Sequence, residues 1–100
     1  MEGSGIIRPS MLQIGALEEV ADAVEGVFLD IRAGKRPSEC LRSIFHMREM
    51  YRRFCSINHG VNYERWTLVT ANVIGLVTYA ELLHDRYVLE RLGSMRIDRI

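Results

Sequence analysis

The chain has 100 residues and a mass of 11.5 kDa, which suits one small domain with a single hydrophobic core. Basic and acidic residues number 13 each, so the formal net charge is zero, and 48% of the residues are hydrophobic. This composition excludes an intrinsically disordered chain. It also argues against a nonspecific nucleic-acid binder, which needs an excess of lysine and arginine.

Cysteine usage and the N-terminal residues bear on the compartment. Cys40 and Cys55 are too few for a disulfide scaffold. Residues 1–5 include no basic segment that leads into an apolar run. We therefore expect a cytoplasmic protein with reduced thiols and no cleaved signal.

The first predicted helix spans residues 11–33. Ser10 is its expected N-cap, and Gln13 follows at the spacing of a capping box. Apolar residues then recur every three or four positions, with acidic residues on the opposite side. Gly34 is expected to end the helix in the left-handed conformation.

Two further helices are predicted after a short linker. The second spans residues 39–57, with Ser38 as its N-cap. The third begins after Asn62, the expected cap, and ends at the glycine in position 93. Its segment Trp66–Ala80 holds 15 residues without a charge, fewer than the roughly 20 that cross a membrane.

The third segment is rich in β-branched residues, which favour strands. Its length without an internal turn favours a helix instead, with a bend near His84 left open. The sequence thus predicts an all-α fold, a small bundle of three principal helices whose long apolar third helix is completed by dimerisation. Residues 10–93 form the bundle domain, and residues 1–9 and 94–100 are expected to be flexible. The expected core comprises Leu17, Val20, Val24, Phe28, Leu41, Phe45, Phe54, Leu68, Val69, Ile74, Leu76 and Leu83, with Trp66 partly buried.

Charge is partitioned along the chain although the total is zero. Residues 1–31 hold six acidic residues and one basic residue, whereas residues 32–65 hold eight basic and three acidic ones. An ordinary explanation is attraction between the first two helices. The alternative is a basic face that binds an acidic partner or nucleic acid, formed by Lys35, Arg36, Arg42, Arg48, Arg52 and Arg53.

The third helix is apolar on all sides, and two amphipathic helices cannot cover it. Soluble monomers avoid a large exposed apolar patch, so a second copy or another protein is expected to cover it. The small residues of this helix would allow a neighbouring helix to approach closely. The predicted association residues are Trp66, Ala71, Val73, Gly75 and Val77.

Two constellations suggest chemistry. Arg53 and His59 form an R-x5-H pattern, which resembles the signature of the all-helical HEPN ribonucleases and would imply attack on an RNA backbone. Cys55 and His59 stand four apart, as two zinc ligands can. No further cysteine–histidine pair completes a metal site, so we predict no metal and no cofactor.

Residues 59–65 resemble the first homology motif of the apoptosis regulators, which opens their central apolar helix. Tyr63 replaces a tryptophan of that motif, and Glu64 replaces the glycine that admits a partner helix. The chain is too short for that fold, so no family is assigned. The matching positions are Gly60, Val61, Asn62 and Arg65.

The sequence favours a non-enzymatic interaction, regulatory or adaptor module that acts through helix–helix association. The expected partners are a second copy of the chain or another protein with an acidic or apolar helix. The alternatives are a small nucleic-acid-binding regulator that uses the basic second helix, and then the ribonuclease.

Overall fold

The computed structural model describes residues 11–58 and 64–98, and it describes side chains for 11–58 and 66–93. These residues form three α-helices, and the fold is all-α, a small helical bundle as predicted. The segment 66–79 is helical, so its length outweighs its β-branched content. The helices are α1 (Met11–Arg32), α2 (Pro37–Ile57) and α3 (Glu64–Asp98).

The end of α1 follows the predicted pattern. Gly34 has a φ of +70°, which costs glycine little because it has no Cβ. Its N–H donates to the carbonyl of Ile31 at 3.0 Å, and the N–H of Lys35 donates to the carbonyl of Asp30 at 3.2 Å. The predicted N-cap, Ser10, lies outside the described residues.

The start of α2 corrects the sequence-based prediction. Pro37 is the first helical residue and Arg36 is the N-cap, so the predicted cap Ser38 lies inside the first turn. Proline suits this position because its φ is helical and its missing N–H would have no helical partner. The N–H of Arg36 instead donates to the Glu39 carboxylate at 3.1 Å.

The end of α3 was also predicted wrongly. The helix continues through Gly93 to Asp98 and runs without interruption past His84. Glycine inside a helix costs about 1 kcal/mol, which a long packed helix tolerates. The predicted flexible tail therefore begins as helix over residues 94–98. The cap at Asn62 and the N-terminal segment lie outside the described residues.

The core lies between the inward faces of the three helices. Val20, Val24, Phe54 and Trp66 are buried in it as predicted, while Leu17, Phe28 and Val69 are half-buried against it. The buried hydrophobic residues are Ala16, Val20, Ala23, Val24, Val27, Cys40, Ile44, Met47, Phe54, Trp66, Val73, Val77 and Ala80.

Five predicted core residues are exposed, on α2 and α3. On α2 the inward face belongs to Cys40 and Ile44, and the next residue along the helix points about 100° away. On α3 two neighbouring helices cover only one side. The exposed residues are Leu41, Phe45, Leu68, Ile74 and Leu76.

Contacts at both ends of α2 show that it lies antiparallel along α3. At one end, the Trp66 indole packs against Phe54 with ring centroids 6.2 Å apart, and its N–H donates to the side-chain oxygen of Asn58. At the other end, the Tyr87 hydroxyl donates to the carbonyl of Lys35 at 2.6 Å. These contacts leave the opposite side of α3 uncovered by residues 11–58, the part of α1, α2 and their linker that the structure describes.

Candidate functional site

The outer face of α3 carries apolar side chains that the described part of the bundle does not bury. We define it by Leu68, Ala71, Gly75, Thr78, Leu82 and Leu89, all of which are exposed. Its three leucines are 62–69% exposed. These exposures are high for leucine side chains that follow one another along one helix face.

The spacing of this face is that of a helix-pairing seam. Leu68, Gly75, Leu82 and Leu89 stand seven residues apart, with small residues at two intermediate positions. Seven-residue spacing keeps side chains near one line on a helix and suits the packing of a second helix. From Leu68 to Leu89 the face spans 22 residues, or about 32 Å along the helix axis at a rise of 1.5 Å per residue.

Only two of the five predicted association residues belong to this outer face. Ala71 and Gly75 are exposed on it. Trp66, Val73 and Val77 are instead buried against α1 and α2 and hold the chain's own core together. A substitution at Val73 therefore tests folding and does not report on association.

Sequence reasoning missed the outer leucines as association residues because it treated α3 as apolar all round. The missed signal is the repeat of seven, which runs on one side of the helix. A second repeat of seven, formed by Trp66, Val73 and Ala80, lies on the other side and is the one that the bundle buries. Both repeats are visible in the sequence, but nothing in the sequence ranks them.

The six basic residues predicted to bind a partner are mostly paired within the chain. Five of them have a carboxylate within 4 Å, and Arg42 alone has no ion pair among the described residues. The partner-binding role of this face remains a prediction. The pairs are Lys35–Asp30 at 3.0 Å, Arg36–Glu39 at 3.8 Å, Arg48–Glu81 at 2.7 Å, Arg52–Glu49 at 3.3 Å and Arg53–Glu19 at 3.7 Å.

A polar link joins α1 to α2 beside the first of these pairs. The Ser43 hydroxyl donates to the Asp30 carboxylate, and this hydrogen bond lowers the pKa of Asp30, with Lys35 adding to the effect. The hydrogen bond between Lys35 and Asp30, together with the negative charge of Asp30, raises the pKa of Lys35. These contacts therefore stabilise the charged form of the Asp30 carboxylate at the junction of α1 and α2.

The two cysteines differ in environment. Cys40 is buried and Cys55 is exposed. Burial raises the pKa of the Cys40 thiol, which makes it less reactive at neutral pH. Burial, followed by its hydrogen bond with Cys55, raises the pKa of Tyr51.

The constellations suggested by the sequence are only partly visible. Arg53 of the R-x5-H pattern pairs with Glu19, and His59 lies outside the described residues, as do the matched positions 60–62. In the part of the chain that the structure describes, no three histidine, cysteine, aspartate or glutamate side chains are grouped as a metal would require.

One buried polar residue was not predicted. His84 is 6% exposed on the core side of α3, one heptad after Val77. Its Nε2 has no hydrogen-bond partner among the described residues, and its Nδ1 lies 3.4 Å from the Asp85 carboxylate. The sequence signal that indicates its burial is its position seven residues after Val77, on the same side of the helix.

The described helices include one that is long and apolar enough to cross a membrane. It is the segment Trp66–Gly93, whose apolar window has a mean hydropathy of 1.3 and is 22% buried inside the bundle. The uncharged stretch alone is too short, but the helix that continues past Glu81 meets the length. A core helix of a soluble protein passes the same test. Comparison of the chain with protein-family models, curated proteins and solved structures finds no match.

Proposed function

We propose that this chain is a non-enzymatic interaction module, with a regulatory or adaptor role, that associates through the outer face of α3. The observation that carries the proposal is the row of three exposed leucines, Leu68, Leu82 and Leu89, which stand at multiples of seven residues. They lie opposite the buried face of the same helix. An apolar row of this kind gains free energy when a second helix removes it from water. The occupant that we propose is a second copy of the chain.

The energetic scale suits a reversible dimer. Burying a leucine fully contributes about 1.5–3 kcal/mol. Six leucines per dimer, each about two-thirds exposed at the start, therefore contribute about 6–12 kcal/mol. Association itself costs about 4–15 kcal/mol. Because the two ranges overlap, the dimer is expected to dissociate on dilution.

A protein partner suits this face better than the interior of a bilayer. α1 and α2 lie alongside α3 and carry exposed charged residues, including Glu18, Asp22 and Arg52. If the intact bundle crossed a membrane through α3, those charges would enter the hydrocarbon, where each costs several kcal/mol. A helical partner covers the outer face without moving α1 or α2.

A matched pair of variants tests the proposal. Leu82→Glu places a charge on the outer face, and Leu12→Glu places the same charge on α1 at an equally exposed leucine, 60% against 62%. Sedimentation velocity over a dilution series should show a dimer for the wild-type chain and for Leu12→Glu, and a monomer for Leu82→Glu. Circular dichroism checks that all three remain helical. A wild-type chain that stays monomeric at every concentration contradicts the proposal.

A further inference from the structure

We infer that the two copies pair their α3 helices antiparallel, with a twofold axis between Thr78 and Tyr79. The inference rests on the proposed function and adds the direction and register of the pair. With this axis, position 68 lies opposite 89 of the second copy, 72 opposite 85, and 75 opposite 82.

The charge along α3 favours the antiparallel direction. From Trp66 to Ala80 the helix carries no charged residue, whereas the C-terminal half carries Glu81, Asp85, Arg86, Glu90 and Arg91. A parallel pair in register would bring the two Asp85 carboxylates level with each other, and likewise the two exposed Arg86 side chains, and like charges repel. The antiparallel pair places each charged half against an uncharged half.

The sizes of the facing side chains match in the same register. Leu82 lies opposite Gly75 of the second copy, and Leu68 lies opposite Leu89. A Cβ built on Gly75 would meet no atom within 4 Å in its own chain, so packing within the bundle does not require a glycine there. A bulky side chain opposite a glycine lets two helices approach closely.

Cysteine cross-linking reads the direction directly. In a Cys55→Ser background the remaining native thiol, Cys40, is buried. Leu68→Cys and Leu89→Cys are made separately, one with a tag that separates the products by size, and oxidised alone and as a mixture. Thr78→Cys, beside the axis, is the positive control, because it lies near its own copy in either direction. Disulfides need Cα atoms within about 7 Å.

The antiparallel pair predicts a mixed Leu68→Cys/Leu89→Cys product and self-linked Thr78→Cys. It predicts little product from Leu68→Cys alone, because those two positions are about 32 Å apart along the axis. Self-linked Leu68→Cys at a yield equal to the mixture overturns the inference in favour of a parallel pair. Such a result leaves the proposed function standing.

Two other outcomes separate failure of the inference from failure of the proposed function. If sedimentation shows a dimer but no cross-link forms at positions 68, 78 or 89, the interface lies elsewhere. That result overturns both the antiparallel pair and the proposed function. A monomer that instead floats with neutral phosphatidylcholine vesicles also overturns both, because lipid then covers the outer face.

Discussion

Arg48 of α2 and Glu81 of α3 form an ion pair across the groove between their helices, with Nε 2.7 Å from Oε2. The sequence places Arg48 in a basic face that is predicted to bind a partner. In the structure it pairs with the carboxylate of Glu81, which lies 33 residues away in the chain. The contact shows that the positive charge of α2 is directed partly at its own bundle. The same holds for Arg53, which pairs with Glu19 of α1.

Reversing one charge of the Arg48–Glu81 pair should weaken the bundle slightly. Arg48→Glu is expected to lower the free energy of unfolding by up to about 1 kcal/mol, because both side chains are partly exposed and solvent screens them. The double variant Arg48→Glu/Glu81→Arg should recover most of the loss. Urea denaturation measures both, and 1 M salt should reduce the difference. If the double variant is no more stable than the single one, the pair does not couple the helices.

Substitution at Gly75 should change folding and association in opposite directions. Gly75→Ala meets no atom within 4 Å in its own chain, so the helix should gain about 1 kcal/mol of stability. The added methyl group lies at the proposed seam, so the dimer should weaken. Thermal denaturation and sedimentation measure the two effects.

Gly26→Ala on α1 is the matched control for that prediction. A Cβ there also meets nothing within 4 Å, so this variant should be stabilised with unchanged association. If Gly75→Ala and Gly26→Ala behave alike in sedimentation, Gly75 does not lie at the seam.

The Ser43–Asp30 hydrogen bond should make stability depend on pH on the acid side. Because the pKa of folded Asp30 lies below its unfolded value of 3.8, its stabilising contribution is complete above that pH. The contribution is lost as pH falls through the folded pKa.

Removing the hydroxyl tests this dependence. Ser43→Ala should lower the unfolding free energy by about 1–2 kcal/mol at pH 7, and the difference from wild type should shrink as pH falls below 3.8. Ser38→Ala, at an exposed serine of the same helix, should show no such change. Urea denaturation from pH 2 to pH 7 measures it. A difference that stays constant over this range would exclude the carboxylate as the cause.

The boundaries of α1 and α2 were largely readable from the sequence, because turn residues act locally. Gly34 adopts the left-handed conformation that ends α1, and this conformation depends on the residue and its neighbours alone. Ser38 and Gly93 were predicted wrongly because each had a competing local option. The proline at position 37 starts α2 two residues earlier than predicted. A glycine inside a helix costs only about 1 kcal/mol, so α3 can continue past position 93.

By itself, the sequence determined that this chain forms three helices, that the first two are amphipathic, and that the third is too apolar for them to cover. Helical periodicity and composition are properties of each segment, so they can be read without a partner segment. Only the tertiary structure decided which side of α3 is buried. Val73 and Leu68 are equally apolar and lie on opposite sides of the helix. The choice between them depends on where α1 and α2 dock. That docking buries Val73 and leaves the leucine row of the outer face in contact with solvent.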